Sequence, residues 1–284
     1  MDESSILIVG ANGQLGTALQ KKYPNARAAD SGTLDITDAD SVASYNWSGV
    51  TVVINAAAYT NVDGAETEEG RVAAWRVNAQ GVANLAKAAT AHNLTLVQVS
   101  TEYVFDGTNE LQSESEPLSP LSAYGASKAA GEIAAQSTQK HYIVRTSWLI
   151  GDGKNFVKTM ISLGQKGISP SVVGDQIGRL TFTNELVRAI EHLLSVQSTY
   201  GVYNVSNGGK TVSWADVTRA IFTIAGIELK VTDISTDQYF ADKPGSARRP
   251  LRSTFDLSKL EATGIVMNDW QTDLETYVKK ELIR

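Results

Sequence analysis

Tyr124 and Lys128 are the residues whose types and spacing most directly suggest chemistry in this chain of 284 residues. An interval of four residues places a phenol and an ammonium on the same face of a helix. A free tyrosine has a pKa near ~10, and a neighbouring ammonium favours the phenolate, so we expect the pKa of Tyr124 to fall toward working pH. Such a phenol can donate a proton to a carbonyl oxygen while a hydride reaches the carbon. The pair taken alone also fits a cation and an aromatic ring that share a solvated helix face.

A hydroxyl group is expected beside this pair. The apolar run at residues 94–99 predicts a β-strand, and Thr101 follows at its carboxyl end, the edge where open α/β sheets bind ligands. Thr101 could therefore hydrogen-bond both a substrate oxygen and the phenol of Tyr124. Ser100 is an adjacent competitor, although its side chain should point to the opposite face of the strand.

A glycine-rich turn near the N-terminus indicates a nucleotide as the second reactant. Residues 10–16 read Gly-Ala-Asn-Gly-Gln-Leu-Gly, directly after a predicted strand at 6–9 and before a helical pattern. Glycines here permit a tight turn, close approach of a pyrophosphate to the backbone, and close packing of helix on strand. In another context the same residues would be only a flexible turn, so their position after a buried strand carries the interpretation.

Asp30 bears on which dinucleotide this turn would bind. It follows Gly10 by 20 residues, at the end of a second predicted strand. Its carboxylate could accept hydrogen bonds from an adenosine ribose, which favours NAD, whereas NADP usually requires an arginine near this site. Arg27 is close in sequence, so the choice between the cofactors stays open. Asp30 could also be an exposed turn carboxylate.

The elements that must position these residues alternate in the order typical of a doubly wound parallel sheet. Predicted strands lie at 6–9, 27–29, 51–54, 94–99 and 142–145, and a helical pattern runs over 71–91. Further helices are expected near 155–165, 184–194 and 213–225. We therefore predict an α/β fold with a Rossmann dinucleotide-binding domain at 1–147 and a second, smaller α/β substrate-binding lobe at 148–284. The chain is expected to recross to the first domain around 176–196.

Composition excludes several classes of function. A formal net charge of -6 and a pI near 5.2 argue against nucleic-acid binding, which usually uses a basic surface. The chain has no cysteine and three scattered histidines, so neither a disulfide nor a metal site is expected. No stretch reaches the ~18 apolar residues that a membrane helix needs, and the acidic N-terminus lacks the pattern of a secretory signal. These features favour a cytoplasmic protein with no membrane partner.

Arginines and tryptophans outside the sheet could bind an anionic substrate. Arg179, Arg248 and Arg249 could bind a diphosphate, because a guanidinium matches phosphate oxygens in pairs, although each could equally be a solvated surface residue. Trp148 falls just past a strand's carboxyl end, where its ring could pack on a sugar or a base. Trp214 lies in a regular helical pattern and is interpreted as core.

Longer motifs then extend these short signals. The chain resembles the extended short-chain dehydrogenase/reductase family and, within it, the dTDP-4-dehydrorhamnose reductases. The similar segments of the first half are 10–16, 55–60 with Asp63, 100–107, 124–128 and 145–148. In the second half they are 153–160, 175–179 and 247–250, so the resemblance covers nearly the whole chain.

The resemblance implies reduction of the C4 ketone of dTDP-4-dehydro-L-rhamnose to dTDP-L-rhamnose by NADPH or NADH, in a monomer or homodimer. It implies that Tyr124 donates the proton, that Lys128 binds the nicotinamide ribose, and that Thr101 assists. The residues expected at the cofactor are Gly10, Asn12, Gly13, Gln14, Leu15, Gly16, Asp30, Asp35, Ile36, Ala56, Ala57, Ala58, Tyr59, Thr60, Tyr124 and Lys128. Those expected at the substrate are Thr101, Glu102, Trp148, Arg179 and Arg249.

Two departures from the family pattern qualify these expectations. Members usually have aspartate where this chain has Glu102, so the sugar contact could be longer or shifted. Some members have a glutamate at the position of Thr17 and use it in a magnesium-linked dimer, so no metal is expected here.

Two alternatives stay open at this point. A dehydratase or epimerase of the same fold is disfavoured, because dehydratases need two carboxylates after the threonine and this chain has Glu102 followed by Tyr103. A non-catalytic regulator resembling the regulatory subunit of methionine adenosyltransferase would share the fold and many of the motifs. The sequence leaves undetermined the cofactor preference, the exact nucleotide sugar, the oligomeric state, and whether the chain is part of a longer fused enzyme.

Overall fold

A six-stranded sheet forms the centre of the computed structural model, which describes residues 2–283. The strand order is β10-β5-β4-β3-β1-β2, and every neighbouring pair is parallel. The strands are β1 (Ile6–Val9), β2 (Arg27–Ala29), β3 (Val52–Asn55), β4 (Thr95–Thr101), β5 (His141–Thr146) and β10 (Gly201–Val205). The predicted α/β fold with a doubly wound parallel sheet is confirmed, and its five predicted strands lie within two residues of their observed bounds.

Both faces of this sheet are covered, which explains the continuous apolar runs of its strands. Ile6 and Ile8 of β1 belong to one hydrophobic core, and the alternate residues Leu7 and Val9 belong to another on the opposite face. The helices associated with this sheet are α1 (Gln14–Lys22), α2 (Ala39–Ser44), α3 (Glu68–Trp75), α4 (Val82–Ala91), α5 (Ala123–Gln136) and α7 (Thr183–Ser195). The helix predicted at 71–91 is α3 and α4, joined by a π-helical turn at Arg76–Gly81.

The second half of the chain adds a smaller layer with its own hydrophobic core. Its helices are α6 (Phe156–Gln165), α8 (Trp214–Ala225), α9 (Thr236–Phe240) and α11 (Trp270–Ile283), whereas α10 (Ser258–Glu261) packs on β10 and buries Leu260 in a core of the large sheet. Its short strands are β6 (Leu149–Ile150), β7 (Ser171–Val173), β8 (Ile177–Gly178), β9 (Thr181–Phe182), β11 (Val212–Ser213) and β12 (Thr232–Ile234), which form three two-stranded pairs. The helices predicted near 155–165 and 213–225 are confirmed, whereas α11 was not predicted.

The chain returns to the large sheet after this layer begins. Helix α7 packs against α1, and β10 then pairs with β5 as the edge strand of the sheet. The helix predicted at 184–194 is therefore part of the first layer, as is a sixth strand that the sequence did not indicate. The division of the chain at residue 147 into two domains stays a prediction.

This topology brings the carboxyl ends of β1, β3, β4 and β5 to one edge, where open α/β sheets bind their ligands. Helix α1 also contacts the second layer. Lys21 of α1 forms an ion pair of 2.6 Å with Asp152, and the Gln14 amide donates to the Lys154 carbonyl at 3.0 Å. Within residues 2–283, no helix combines the length and apolar character needed to cross a bilayer.

Candidate active site

A cavity of about 900 Å³ lies at the carboxyl edge of the sheet, against the second layer. Residues predicted for both reactants line it together. From the cofactor set these are Gly13, Gln14, Leu15, Ala56, Ala57, Ala58, Thr60, Tyr124 and Lys128, and from the substrate set Thr101, Glu102, Trp148 and Arg249. The cavity therefore joins two sets of residues that are far apart in sequence.

The glycine turn has the geometry that close backbone approach requires. Gly10 has φ +78, and a Cβ there would lie 2.5 Å from the Ala57 nitrogen. A Cβ on Gly16 would lie 2.2 Å from the Gly10 carbonyl oxygen. Gly13 precedes α1 without a side-chain cap, and its own amide donates to the Gly10 carbonyl at 3.1 Å. Gly13, Gln14 and Leu15 line the cavity at this helix start, where the dipole of a helix N-terminus favours an anion. These residues fit a pyrophosphate.

Asp30 lies directly after β2 and is bound within its own turn. Its Oδ1 accepts hydrogen bonds from the Thr33 hydroxyl, the Thr33 amide and the Gly32 amide at 3.0 to 3.1 Å. Its Oδ2 accepts from the Asn12 amide at 3.1 Å. The hydrogen bonds from Thr33 and then Asn12 lower the pKa of Asp30, so this half-buried carboxylate is charged at neutral pH.

Asp35 and Ile36, predicted for the adenosine end, and Tyr59, predicted to line the cofactor, lie outside the cavity lining. Asp35 caps its own turn by accepting from the Thr37 hydroxyl at 2.8 Å. Ile36 is buried against Gly81, and its carbonyl accepts from the Asn84 amide at 2.8 Å. Tyr59 exchanges backbone hydrogen bonds with the Asn78 side chain. Their contacts with a cofactor stay predictions.

Local structure brings Thr101 and Tyr124 together. Strand β4 ends at Thr101, and the following turn, Glu102–Val104, packs closely on α5, where a Cβ on Gly125 would lie 2.2 Å from the Tyr103 carbonyl. The Ser122 hydroxyl caps α5 by accepting from the Gly125 amide at 3.1 Å. Tyr124 is therefore buried in the first turn of α5, with the Thr101 hydroxyl as a hydrogen-bond partner.

The expected lowering of the Tyr124 pKa was wrong for this structure. Burial raises the pKa of the Tyr124 phenol well above its usual range, and the charge of Glu102 and then Tyr103 raise it further. Lys128 does not offset this rise in the pKa of Tyr124, and its ammonium donates instead to the Val99 carbonyl at 2.7 Å. Burial lowers the pKa of Lys128 itself to about 8, against the opposing charge of Glu132.

Glu102 is a buried carboxyl in the cavity wall. Its Oε2 accepts the hydroxyl proton of Thr101 at 2.7 Å, and its own backbone amide and that of Trp148 also donate to it. Burial outweighs these bonds and raises the pKa of Glu102 to about 7. The sequence indicated a sugar contact at this position and contained no signal for a bond to Thr101.

Two stacked tryptophans form another part of the cavity wall. Trp148 has φ +45, and its ring lies 3.8 Å from that of Trp214 at an interplanar angle of 17°. Gly178 packs closely against Trp148, since a Cβ there would come within 2.9 Å of the Trp148 ring. Trp214 lines the cavity, so its interpretation as a core residue was incomplete. Trp214 follows Trp148 by 66 residues, so local sequence patterns do not indicate that the two rings stack.

The structure separates the three arginines expected at a diphosphate. Arg249 lines the cavity and forms an ion pair of 2.9 Å with Asp63, and its guanidinium lies 4.5 Å from the Phe240 ring centre. Arg179 is not among the lining residues, because its guanidinium donates to the Phe255 carbonyl. Arg248 is exposed. Only Arg249 is therefore brought to the other predicted substrate residues.

Two orphaned hydroxyls also fit a polar ligand. Ser100 and Thr146 line the cavity, and each has a buried hydroxyl oxygen without a hydrogen-bond partner. Buried hydroxyls of this kind usually find a partner, so a bound reactant would satisfy them. Across residues 2–283, no three histidine or acidic side chains are grouped so that they could hold a metal ion.

Comparison with known proteins bears directly on this site. The family model described as the RmlD substrate binding domain matches residues 4–283. A dTDP-4-dehydrorhamnose reductase of Aggregatibacter actinomycetemcomitans is 41% identical, over 95% of this chain and 97% of that protein.

Two solved structures of dTDP-4-dehydrorhamnose reductases are also similar to this chain. The chain is similar to a dTDP-4-dehydrorhamnose reductase from Clostridium acetobutylicum, with a TM-score of 0.90, 40% identity, and coverage of 98% of this chain and 99% of the other. A dTDP-4-dehydrorhamnose reductase from Bacillus anthracis in complex with NADP has a TM-score of 0.89 and 38% identity, over 97% of this chain and 98% of that one.

Proposed function

This chain belongs to the RmlD substrate binding domain family, and from that premise we propose that it reduces the C4 ketone of dTDP-4-dehydro-L-rhamnose to dTDP-L-rhamnose with NADPH or NADH. Its relatives include named dTDP-4-dehydrorhamnose reductases that align over nearly its whole length. The observation that carries the proposal is the meeting of Tyr124, Thr101 and Lys128 in one cavity with the glycine turn. An acid, an orienting hydroxyl and a nucleotide cradle are the parts that carbonyl reduction needs.

The reaction then divides between the bound cofactor and the chain. A nicotinamide cofactor supplies a hydride to the carbonyl carbon when it is bound. Tyr124 donates its phenolic proton to the carbonyl oxygen, and Thr101 holds that oxygen and the phenol in line. The high pKa of Tyr124 keeps it protonated before the reaction, as a proton donor requires.

Cofactor binding is assigned to the glycine turn and to α5. Gly13, Gln14 and Leu15 would hold the pyrophosphate, with the amides of Gln14 and Leu15 as its donors, and Lys128 would bind the nicotinamide ribose. Asp30 would accept from the adenosine ribose, because among residues 2–283 its Oδ2 holds only one hydrogen bond, from Asn12. A carboxylate at this place favours a free ribose hydroxyl over a phosphate.

Substrate binding is assigned to Trp148, Arg249 and Glu102. The Trp148 ring would pack on the sugar or the base, Arg249 would bind the diphosphate, and Glu102, beside Thr101, would lie near the sugar. The position of Arg179 does not support its phosphate role, which stays a prediction. We also keep the prediction of a monomer or homodimer, which rests on the resemblance, and that of a cytoplasmic protein without nucleic-acid or membrane partners, which rests on the composition and hydropathy of the sequence.

The test is steady-state turnover of dTDP-4-dehydro-L-rhamnose, run separately with NADPH and NADH and followed by loss of nicotinamide absorbance. We expect one cofactor oxidised for each dTDP-L-rhamnose formed. A dehydrated product without net cofactor consumption would indicate a dehydratase instead. No turnover with either cofactor, from a protein that binds both, would contradict the proposal.

A further inference from the structure

Glu102 occupies an unusual position for an acidic residue. Its side chain is buried, and it has no ion-pair partner among the residues that the structure describes. A buried carboxylate without a cation is unfavourable, and the usual response is to take up a proton. Burial indeed raises the pKa of Glu102 to about 7, so the neutral carboxyl is populated near neutral pH.

A single hydroxyl connects this carboxyl to the proton donor. Thr101 donates to Glu102 at 2.7 Å and is also the hydrogen-bond partner of Tyr124. A threonine hydroxyl has only one hydrogen to donate. Once Tyr124 has lost its proton, the phenolate needs that hydrogen, so Thr101 must turn from donor to acceptor toward Glu102. Only a protonated Glu102 can then donate to it.

We propose that Glu102 is a proton reservoir that returns a proton to Tyr124 through the hydroxyl of Thr101 after each turnover. The inference rests on the reductase activity proposed above and identifies how the proton donor is restored. Glu102 acts through Thr101 and need not touch the ketone.

The proton transfers balance with the reduction. The ketone gains a hydride at carbon and the Tyr124 proton at oxygen, which makes the alcohol. Tyr124 then takes the hydroxyl proton of Thr101 as Thr101 takes the carboxyl proton of Glu102. Glu102 is left as a carboxylate and is reprotonated from solvent, so each turnover consumes one proton.

The neighbours of Glu102 support this direction of transfer. The titratable groups coupled to it are Tyr103 in its own turn and Tyr124 from α5, and burial raises the pKa of both phenols. Arg249 and Asp63 act on Tyr103, with opposite signs. Lys128 is bonded to the Val99 carbonyl. The pKa of Tyr124 is raised well above its usual range and that of Glu102 is about 7, so a phenolate at Tyr124 takes the proton from the Glu102 carboxyl.

The test uses Glu102→Gln, which keeps the size of the side chain and an acceptor for Thr101 but has no acidic proton. In the wild type, kcat should fall as pH rises through about 7, the pKa of Glu102, because the reservoir empties. The variant should not show this fall in kcat near pH 7, and at lower pH its kcat should be about 10²-fold below that of the wild type. Lys128, whose pKa is about 8, should cause a second fall in kcat at higher pH, and this fall should appear in the wild type and in the variant.

Two further variants separate this role from a structural one. Glu102→Asp should keep a titrating step, because it restores an acidic proton. Glu110→Gln removes a carboxylate whose side chain is 88% exposed, and it should leave the profile unchanged. Unaltered fluorescence titration with NADPH would show that each variant still folds and binds the cofactor.

Infrared difference spectroscopy reads the protonation state without turnover. The wild type should show a protonated carboxyl band that disappears as pH rises through about 7, and Glu102→Gln should lack it. A missing band, or a Glu102→Gln variant with the wild-type pH profile, would overturn the reservoir. A protonated Glu102 in a protein that never reduces the keto sugar would contradict the proposed function instead.

Discussion

Two walls of the same cavity are built in different ways. The proton wall, which we define as Thr101, Glu102, Tyr124 and Lys128, comes from one strand end and one helix within 28 residues of chain. The substrate wall, defined as Trp148, Trp214 and Arg249, comes from three segments spread over about a hundred residues. Proton transfer needs short fixed distances, and regular elements hold side chains more precisely than loops do. Recognition of a flexible nucleotide sugar tolerates a wall that is assembled from distant contacts.

The largest expected effect comes from removing the acid of the proton wall. Tyr124→Phe should lower kcat by about 10²–10⁴-fold, because the proton then has no positioned donor. NADPH binding, measured by fluorescence, should be nearly unchanged. Tyr45→Phe, a tyrosine outside the cavity lining, is the matched control and should keep its activity. A Tyr124→Phe enzyme with near-normal kcat would refute the assignment of the acid.

The support behind the proton wall is the next test. Glu132 of α5 and Arg145 of β5 form a buried ion pair of 2.7 Å that ties the helix carrying Tyr124 to the sheet. Glu132→Gln leaves the Arg145 charge buried without its partner, and we expect a loss of about 3–5 kcal/mol in the free energy of unfolding, measured with urea.

An exposed ion pair supplies the control. Glu275→Gln breaks the pair with Lys279 on the surface of α11, which should change stability by less than about 0.5 kcal/mol. If both variants lose the same free energy of unfolding, the buried pair between Glu132 and Arg145 is not what holds α5 on the sheet.

The substrate wall should respond differently. Trp214→Ala removes the ring that stacks on Trp148, and aromatic pairs contribute about 0.5–1.5 kcal/mol beyond their burial. We expect KM for the nucleotide sugar to rise about 10-fold with little change in kcat, since Tyr124 is untouched. Trp214→Phe keeps an aromatic ring and should recover most of the affinity. A fall in kcat with unchanged KM would mean that the two walls are not separable.

The smallest expected effect is at the ion pair that holds Arg249. Asp63 is half exposed, so its pair with Arg249 should contribute only about 0.2–1 kcal/mol. Asp63→Asn should change KM by less than about 5-fold, and high salt should reduce the difference from the wild type. A larger loss, confined to kcat, would place Arg249 with the proton wall.

Much of the fold and of the proton wall could be predicted from local sequence. The glycine turn, the apolar runs of β1 and β3, and the interval between Tyr124 and Lys128 are short-range patterns set by backbone geometry. The edge strand β10 could not be placed, because its pairing with β5 joins segments about sixty residues apart. Arg179 illustrates the same limit, since its sequence position does not reveal that the Phe255 carbonyl holds its guanidinium.

The sequence by itself determined which groups this protein has for chemistry: a phenol, an ammonium, a hydroxyl and a glycine turn at intervals that regular elements convert into fixed positions. Only the tertiary structure decided their electrostatics. Burial, which sums contacts from the whole chain, raises the pKa of Tyr124 where the Tyr-Lys interval alone suggested the opposite. Burial likewise raises the pKa of Glu102, beside Thr101, to about 7. The free energy of a charged group depends on all the protein atoms that replace its hydrating water.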